Sequence, residues 1–122
     1  MRGRKASRPR TGSAHVRRAD VYWVKFPAPV GTRPAILVSR DEAYSVRTRV
    51  TVVPVTRTVR GIPVEVRLGP ADGLPKAGVA NADEIVTIPR DLLRSRIAML
   101  SPSKMRELNA AIRFALALDR DA

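Results

Sequence analysis

Cysteine is absent from the 122 residues, histidine occurs once, and no apolar run approaches the length of a membrane-spanning helix. Without cysteine there is no disulfide framework and no thiolate metal site. The one histidine, His15, lies in a basic N-terminal stretch, which gives no basis for a histidine-built metal centre or a serine–histidine triad. No metal or cofactor is expected. A membrane helix needs about 20 apolar residues, and no apolar segment follows the N-terminal charges as it does in a secretory signal. A cytoplasmic location, with no membrane partner, is the expectation. Acidic residues are also scarce: 11 Asp and Glu stand against 23 Lys and Arg, a net charge of +12. Residues 1–19 hold seven of the basic residues and no acid, which leaves +5 on the rest. The excess therefore survives loss of the tail. It points to a polyanion, with nucleic acid foremost, although charge by itself also serves solubility.

The length suits one domain with one core, and no internal repeat is visible. Residues 1–19, basic and almost free of large apolar groups, read as a disordered extension. Residues 20–119 read as the folded domain. Residues 20–26 alternate as a first strand. Residues 35–38 (Ala-Ile-Leu-Val) form a short continuous apolar run that reads as a buried core strand within residues 33–39. A polar connection over 40–46 holds at most one helical turn. Residues 49–56 are strongly β-branched and form a third strand, whose Pro54 predicts an edge position or a bulge. Residues 63–68 alternate as a fourth strand, and residues 79–88 read as a fifth with Asp83 and Glu84 in its middle. A short helical turn over 89–93 and a sixth strand over 96–100 follow.

Ser101-Pro102 is a helix start, serine at the N-cap and proline at the first helical position. Met105, Leu108, Ile112, Ala115 and Leu116 recur at spacings of three and four. They predict an amphipathic helix of about 17 residues, roughly 26 Å long. The sum is a mainly β domain with a C-terminal helix, a small, strongly bent antiparallel sheet or half-barrel.

One side chain in this plan is framed for a task. Arg33 stands between Gly31, read as permitting a tight backbone approach, and Pro34, which fixes φ at the start of a strand. A guanidinium is always charged and presents a planar fork of donors suited to phosphate. Alone, it equally fits a surface ion pair at a strand end. Thr56 fits a β-former closing its strand as well as a neutral donor. Asp83 fits a turn cap or an ion pair as well as an acid–base group. Asn81 fits a base contact or a backbone bond. Tyr22 and Trp23 fit base stacking or the core. Arg47, Arg49, Arg57 and Arg60 flank the loops and fit phosphate contacts or solvated surface.

The segments Gly-Thr-Arg-Pro-Ala-Ile-Leu-Val-Ser at 31–39, Val-Val-Pro-Val-Thr at 52–56, Gly-Ile-Pro at 61–63 and Gly-Val-Ala-Asn-Ala-Asp at 78–83 together resemble the MazF/PemK toxin family. The closing Ile-Ala-Met-Leu at 97–100 and the last helix fit it too. Over residues 20–118 the order and spacing are more specific than any one motif. The resemblance implies an SH3-like small barrel and a homodimer. It implies a metal-independent, sequence-specific endoribonuclease that cuts single-stranded RNA (messenger, transfer or ribosomal) and inhibits translation and growth. It also implies a cognate antitoxin, for which a basic groove predicts an acidic tail. Arg33 and Thr56 match the family's active-site arginine and threonine, and Asp83 matches an aspartate proposed for acid–base chemistry in some members. Two features depart from other members. Asn81 stands where they carry an arginine two residues before that aspartate, and the loop before Arg33 is short and lacks their glutamate or histidine. The competing readings are a non-catalytic toxin or RNA-binding module on the same fold, including one that poisons a topoisomerase, and a decayed toxin that keeps only antitoxin binding.

Overall fold

A computed structural model describes residues 16–120; most of the basic N-terminal extension lies outside the described residues. Among the described residues seven strands and two α-helices form in chain order. They are β1 (Asp20–Lys25), β2 (Thr32–Leu37), α1 (Ala43–Val46), β3 (Arg49–Thr56), β4 (Glu65–Leu68), β5 (Gly78–Asn81), β6 (Val86–Pro89), β7 (Leu93–Met99) and α2 (Pro102–Ala115). The sheet is antiparallel in the order β4-β5-β3-β2-β1-β7, with β6 also paired to β3. It is open: β4 and β7 end the main path and do not pair with each other, and β6 pairs with β3 alone. The expected small barrel is thus a bent sheet that stops short of closure.

Alternation along the strands explains why the apolar runs are continuous. Val21, Ile36, Val53 and Val55 enter one core with Met105, Leu108 and Ala111 of α2. Their neighbours Tyr22, Val24, Leu37, Val50 and Val52 enter a second core on the opposite face. β2 is central and covered on both faces, so Ile36 and Leu37 are fully buried. Each such side chain contributes about 1.5–3 kcal/mol. The N-terminal edge of the packed chain lies before Asp20. Val16 is 6% exposed, the Arg18 guanidinium donates to the Val38 carbonyl and to Asn109, and the Ala19 N–H donates to the Leu37 carbonyl at 2.9 Å.

Three sequence expectations are corrected. The single strand over 79–88 is two strands, β5 and β6, separated by a 3₁₀ turn at Ala82–Glu84. The Asn81 carboxamide oxygen accepts the Asp83 N–H at 2.9 Å, a local bond that competes with the ladder. Asp83 and Glu84, poor strand formers, thereby leave the sheet. Pro54 is not at an edge: β3 is central, and Pro54 falls in the gap where β5 pairing ends and β6 pairing begins. A residue without an N–H is tolerated where the ladder is interrupted. The C-terminal helix has 14 residues, about 21 Å; it stops before Leu116, and Ala117 adopts a positive φ of 54°. Its start is as expected, with Ser101 Oγ accepting the Lys104 N–H at 3.1 Å.

Candidate active site

The β2–β3 register pairs Ala35 with Pro54 and Ile36 with Val53. Continued to the strand ends, it sets Arg33 against Thr56. Both line one cleft of about 690 Å³. Its apolar side is Trp23, Pro34 and Val55, and its polar rim is Thr32, Arg33, Thr56, Arg57, Thr58 and Lys76. Three cations therefore face the space and no carboxylate lines it. Among the described residues none of the three has a carboxylate partner.

Each member is held by local structure. Gly31 has φ +75° and nothing within 4 Å of a notional Cβ. Its role is left-handed backbone, not the close approach expected. The turn it completes returns the Gly31 carbonyl to the Phe26 N–H at 3.2 Å. Arg33 is then the second residue of β2, half-exposed, with its guanidinium 3.5 Å from the Val30 carbonyl. Thr56 pairs with Val79 across β5. Its Oγ1 accepts the Thr58 N–H at 3.3 Å, which leaves the hydroxyl proton free to donate into the cleft. Beneath it, a Cβ on Gly78 would sit 2.6 Å from the Thr56 carbonyl oxygen. Here the glycine does allow a close backbone approach.

The loop after Thr56, residues 57–64, is wrapped round one carboxylate. Glu65 accepts N–H bonds from Arg60 at 3.1 Å, Gly61 at 2.8 Å and Ile62 at 3.5 Å. Partial desolvation pushes its pKa upward, and the three donors together with the Arg60 charge outweigh this, so it lies below the usual glutamate value.

The other residues singled out in the sequence stand elsewhere. Asp83 is exposed and does not line the cleft. It sits in the turn after β5 and not on the strand that pairs with Thr56. Asn81 is 3% exposed, its oxygen engaged by the turn it caps. Arg49 donates to the Thr87 carbonyl at 3.0 Å and, seven residues from Thr56, stands roughly 23 Å away along β3. Arg47 caps α1 beside it. Arg60 contributes its backbone to the Glu65 turn. Of the two aromatic candidates, Tyr22 is buried in the second core and Trp23 lines the cleft. Lys76 is the cleft cation that sequence reading passes over, because it lies in a Gly- and Pro-rich loop with no periodicity. Among the described residues no group of three or more His, Cys, Asp or Glu is placed to hold a metal ion, and no helix is long and apolar enough to cross a membrane.

A family model described as PemK-like, MazF-like toxin of type II toxin–antitoxin system matches residues 17–116. The probable endoribonuclease MazF5 of Mycobacterium tuberculosis is 33% identical over 104 residues, which covers 84% of this chain and 94% of that protein. A solved mycobacterial endoribonuclease in complex with its cognate antitoxin superposes with a TM-score of 0.76 at 32% identity, over 87% of this chain and 99% of that one. MazF from Deinococcus radiodurans superposes at 0.73 over 86% of this chain and 99% of that one; at 22% identity it bears on the fold alone.

Proposed function

The chain belongs to the PemK-like, MazF-like toxins of type II toxin–antitoxin systems, and from that premise we propose that it is an endoribonuclease acting on single-stranded RNA. The observation that carries the reading is the pairing of Arg33 with Thr56 at the edge of a cationic cleft free of carboxylates. In the proposed reaction the RNA's own 2′-oxygen loses its proton to solvent and bonds to phosphorus, the bond from phosphorus to the 5′-oxygen breaks, and the departing 5′-oxygen takes up a proton from solvent. The products are a 2′,3′-cyclic phosphate and a 5′-hydroxyl end. Arg33 binds the non-bridging oxygens through its donor fork and strengthens that hold as charge develops. The Thr56 hydroxyl adds a neutral donor that costs little to desolvate. No step is assigned to a metal. Arg57 supports phosphate binding beside this pair; Arg47, Arg49 and Arg60 are supporting contacts only for a strand that runs beyond the cleft, and Asn81, buried beneath the turn it caps, makes no contact with the strand.

The same reading has the protein working as a homodimer in the cytoplasm, restrained by a cognate antitoxin whose acidic segment matches the cationic cleft. Cutting messenger RNA inhibits translation and growth. Asp83 does not line the cleft, so Asp83→Asn is expected to leave the cleavage rate unchanged; a loss of about a hundred-fold would assign the 2′-hydroxyl proton to that carboxylate after all.

The test is incubation of the purified protein with a long single-stranded RNA in EDTA, with fragment ends mapped, beside Arg33→Ala and Thr56→Val. Cuts at one short sequence with cyclic phosphate ends are expected, slowed about 10²–10³-fold by either substitution. An RNA left intact across several classes overturns the nuclease in favour of a non-catalytic toxin.

A further inference from the structure

The cleft holds more than the Arg33–Thr56 pair needs. Charge stabilisation at a phosphate does not call for an indole, yet Trp23 forms the apolar side with Pro34, its partner across the β1–β2 ladder. Alternation turns Trp23 toward the face that α2 covers, with Val21 and Ile36. However, α2 packs over β4 and the turn Ala82–Glu84, so the indole is left half-exposed. A tryptophan recruited only for the core would be closed over. Lys76 lines the same cleft, exposed and without a carboxylate partner among the described residues. Its loop is short and tied at both ends. Leu74, two residues before, is 3% exposed, and Gly78, two residues after, is pressed against the Thr56 carbonyl. The lysine's backbone position is thus fixed before any ligand arrives.

Resting on the nuclease reading, we propose that this cleft seats one nucleotide of the single strand, its base stacked on Trp23 and its neighbouring phosphate held by Lys76. Arg33 and Thr56 then receive the phosphate at which cleavage occurs. An aromatic plane beside cations is the arrangement that takes a base and its phosphates together, because every base presents a π-face. An acidic peptide would satisfy the cations and leave the indole unused. Trp23 and Lys76 act in ground-state binding and register, distinct from the charge stabilisation by Arg33.

Trp23 is the only tryptophan, so its emission reports the site without a label. The full chain is titrated with a short 2′-O-methyl RNA, which binds but lacks the attacking hydroxyl. The same is done with an abasic chain of equal length and with polyglutamate. Saturable quenching by the base-bearing strand alone is expected. By anisotropy with a labelled strand, Trp23→Leu should weaken binding roughly 5- to 150-fold, and Trp23→Phe should retain most of it. Lys76→Gln should reduce the slope of log K against log salt by about 0.7, the equivalent of one single-strand phosphate. Equal quenching by the abasic chain or by polyglutamate overturns the stacking, and an unchanged salt slope in Lys76→Gln overturns the phosphate contact. Cleavage of natural RNA without any emission change sinks this proposal and spares the nuclease. Quenching without cleavage sinks the nuclease and spares the nucleotide seat.

Discussion

At the scale of single residues, two glycines flank the Arg33–Thr56 pair and act by different physics. Gly31 supplies a φ of +75° with open space around it, so Gly31→Ala costs only the left-handed backbone, about 1–2 kcal/mol. Gly78 has no conformational demand of that kind. An added methyl would meet the Thr56 carbonyl oxygen at 2.6 Å and Val55 Cγ1 at 3.2 Å, and neither β3 nor β5 has slack at that point. Gly78→Ala should lower stability by about 1–3 kcal/mol and push Thr56 out of line. A displacement near 1 Å in a positioning group costs on the order of 10²-fold in rate. Melting temperature and cleavage rate measured on both variants check this. The expected pattern is comparable destabilisation with a far larger rate loss in Gly78→Ala. A Gly78→Ala enzyme of normal rate would show that Thr56 tolerates movement.

Elements differ in how plainly the sequence announces them. β3 is legible to the residue, because eight consecutive positions rich in β-branched side chains have no competing local bond. The helix start is equally legible, since Ser101 and Pro102 each solve a problem of unpaired N–H groups. The β5–β6 break is not. It turns on one side-chain bond, from the Asp83 N–H to Asn81, and a run of strand formers on either side hides it. The same break moves Asp83 off the ladder and away from the cleft, which no spacing rule reveals. Of the site, Arg33 and Thr56 are readable only through the family resemblance of their segments, since nothing local shows that the strand ends converge, and Lys76 is not readable because loops carry no period.

The loop over 57–64 lies between these cases and carries a pH signature. Glu65 is ionised below its usual range because backbone N–H groups hold the charged form. A carboxylate depressed in this way contributes stability above its unfolded pKa of about 4.3, and that contribution is lost as pH falls through the lower folded value. The Gly61 amide resonance should therefore titrate with a midpoint below about 4.3, and Glu65→Gln should abolish the titration. A midpoint at or above the ordinary glutamate value would contradict the arrangement. Arg57 and Thr58 share this loop, so RNA binding should weaken over the same acid range.

For the whole molecule, charge and fold have different boundaries. Residues 1–15 carry five basic side chains and no acid, whereas Val16 is buried and Arg18 is tied to the Val38 carbonyl and to Asn109 of α2. Two truncations separate the properties. Removing residues 1–15 takes away charge and none of these contacts. Its melting temperature should match the full chain, and the slope of log K against log salt on a non-cognate single strand should flatten by about 0.7 for each phosphate no longer neutralised. Removing residues 1–19 also deletes Val16, the Arg18 bonds and the Ala19 bond to β2. Burial of Val16 alone is worth about 1.5–3 kcal/mol, a large share of the roughly 5–15 kcal/mol that holds a domain folded, so this truncation should melt well below the first. Site-specific cleavage should persist in the shorter truncation, because among the described residues the cleft is lined by residues within 23–77. If its cleavage specificity were lost along with its salt slope, the extension would be reading sequence and not merely raising the local concentration of RNA.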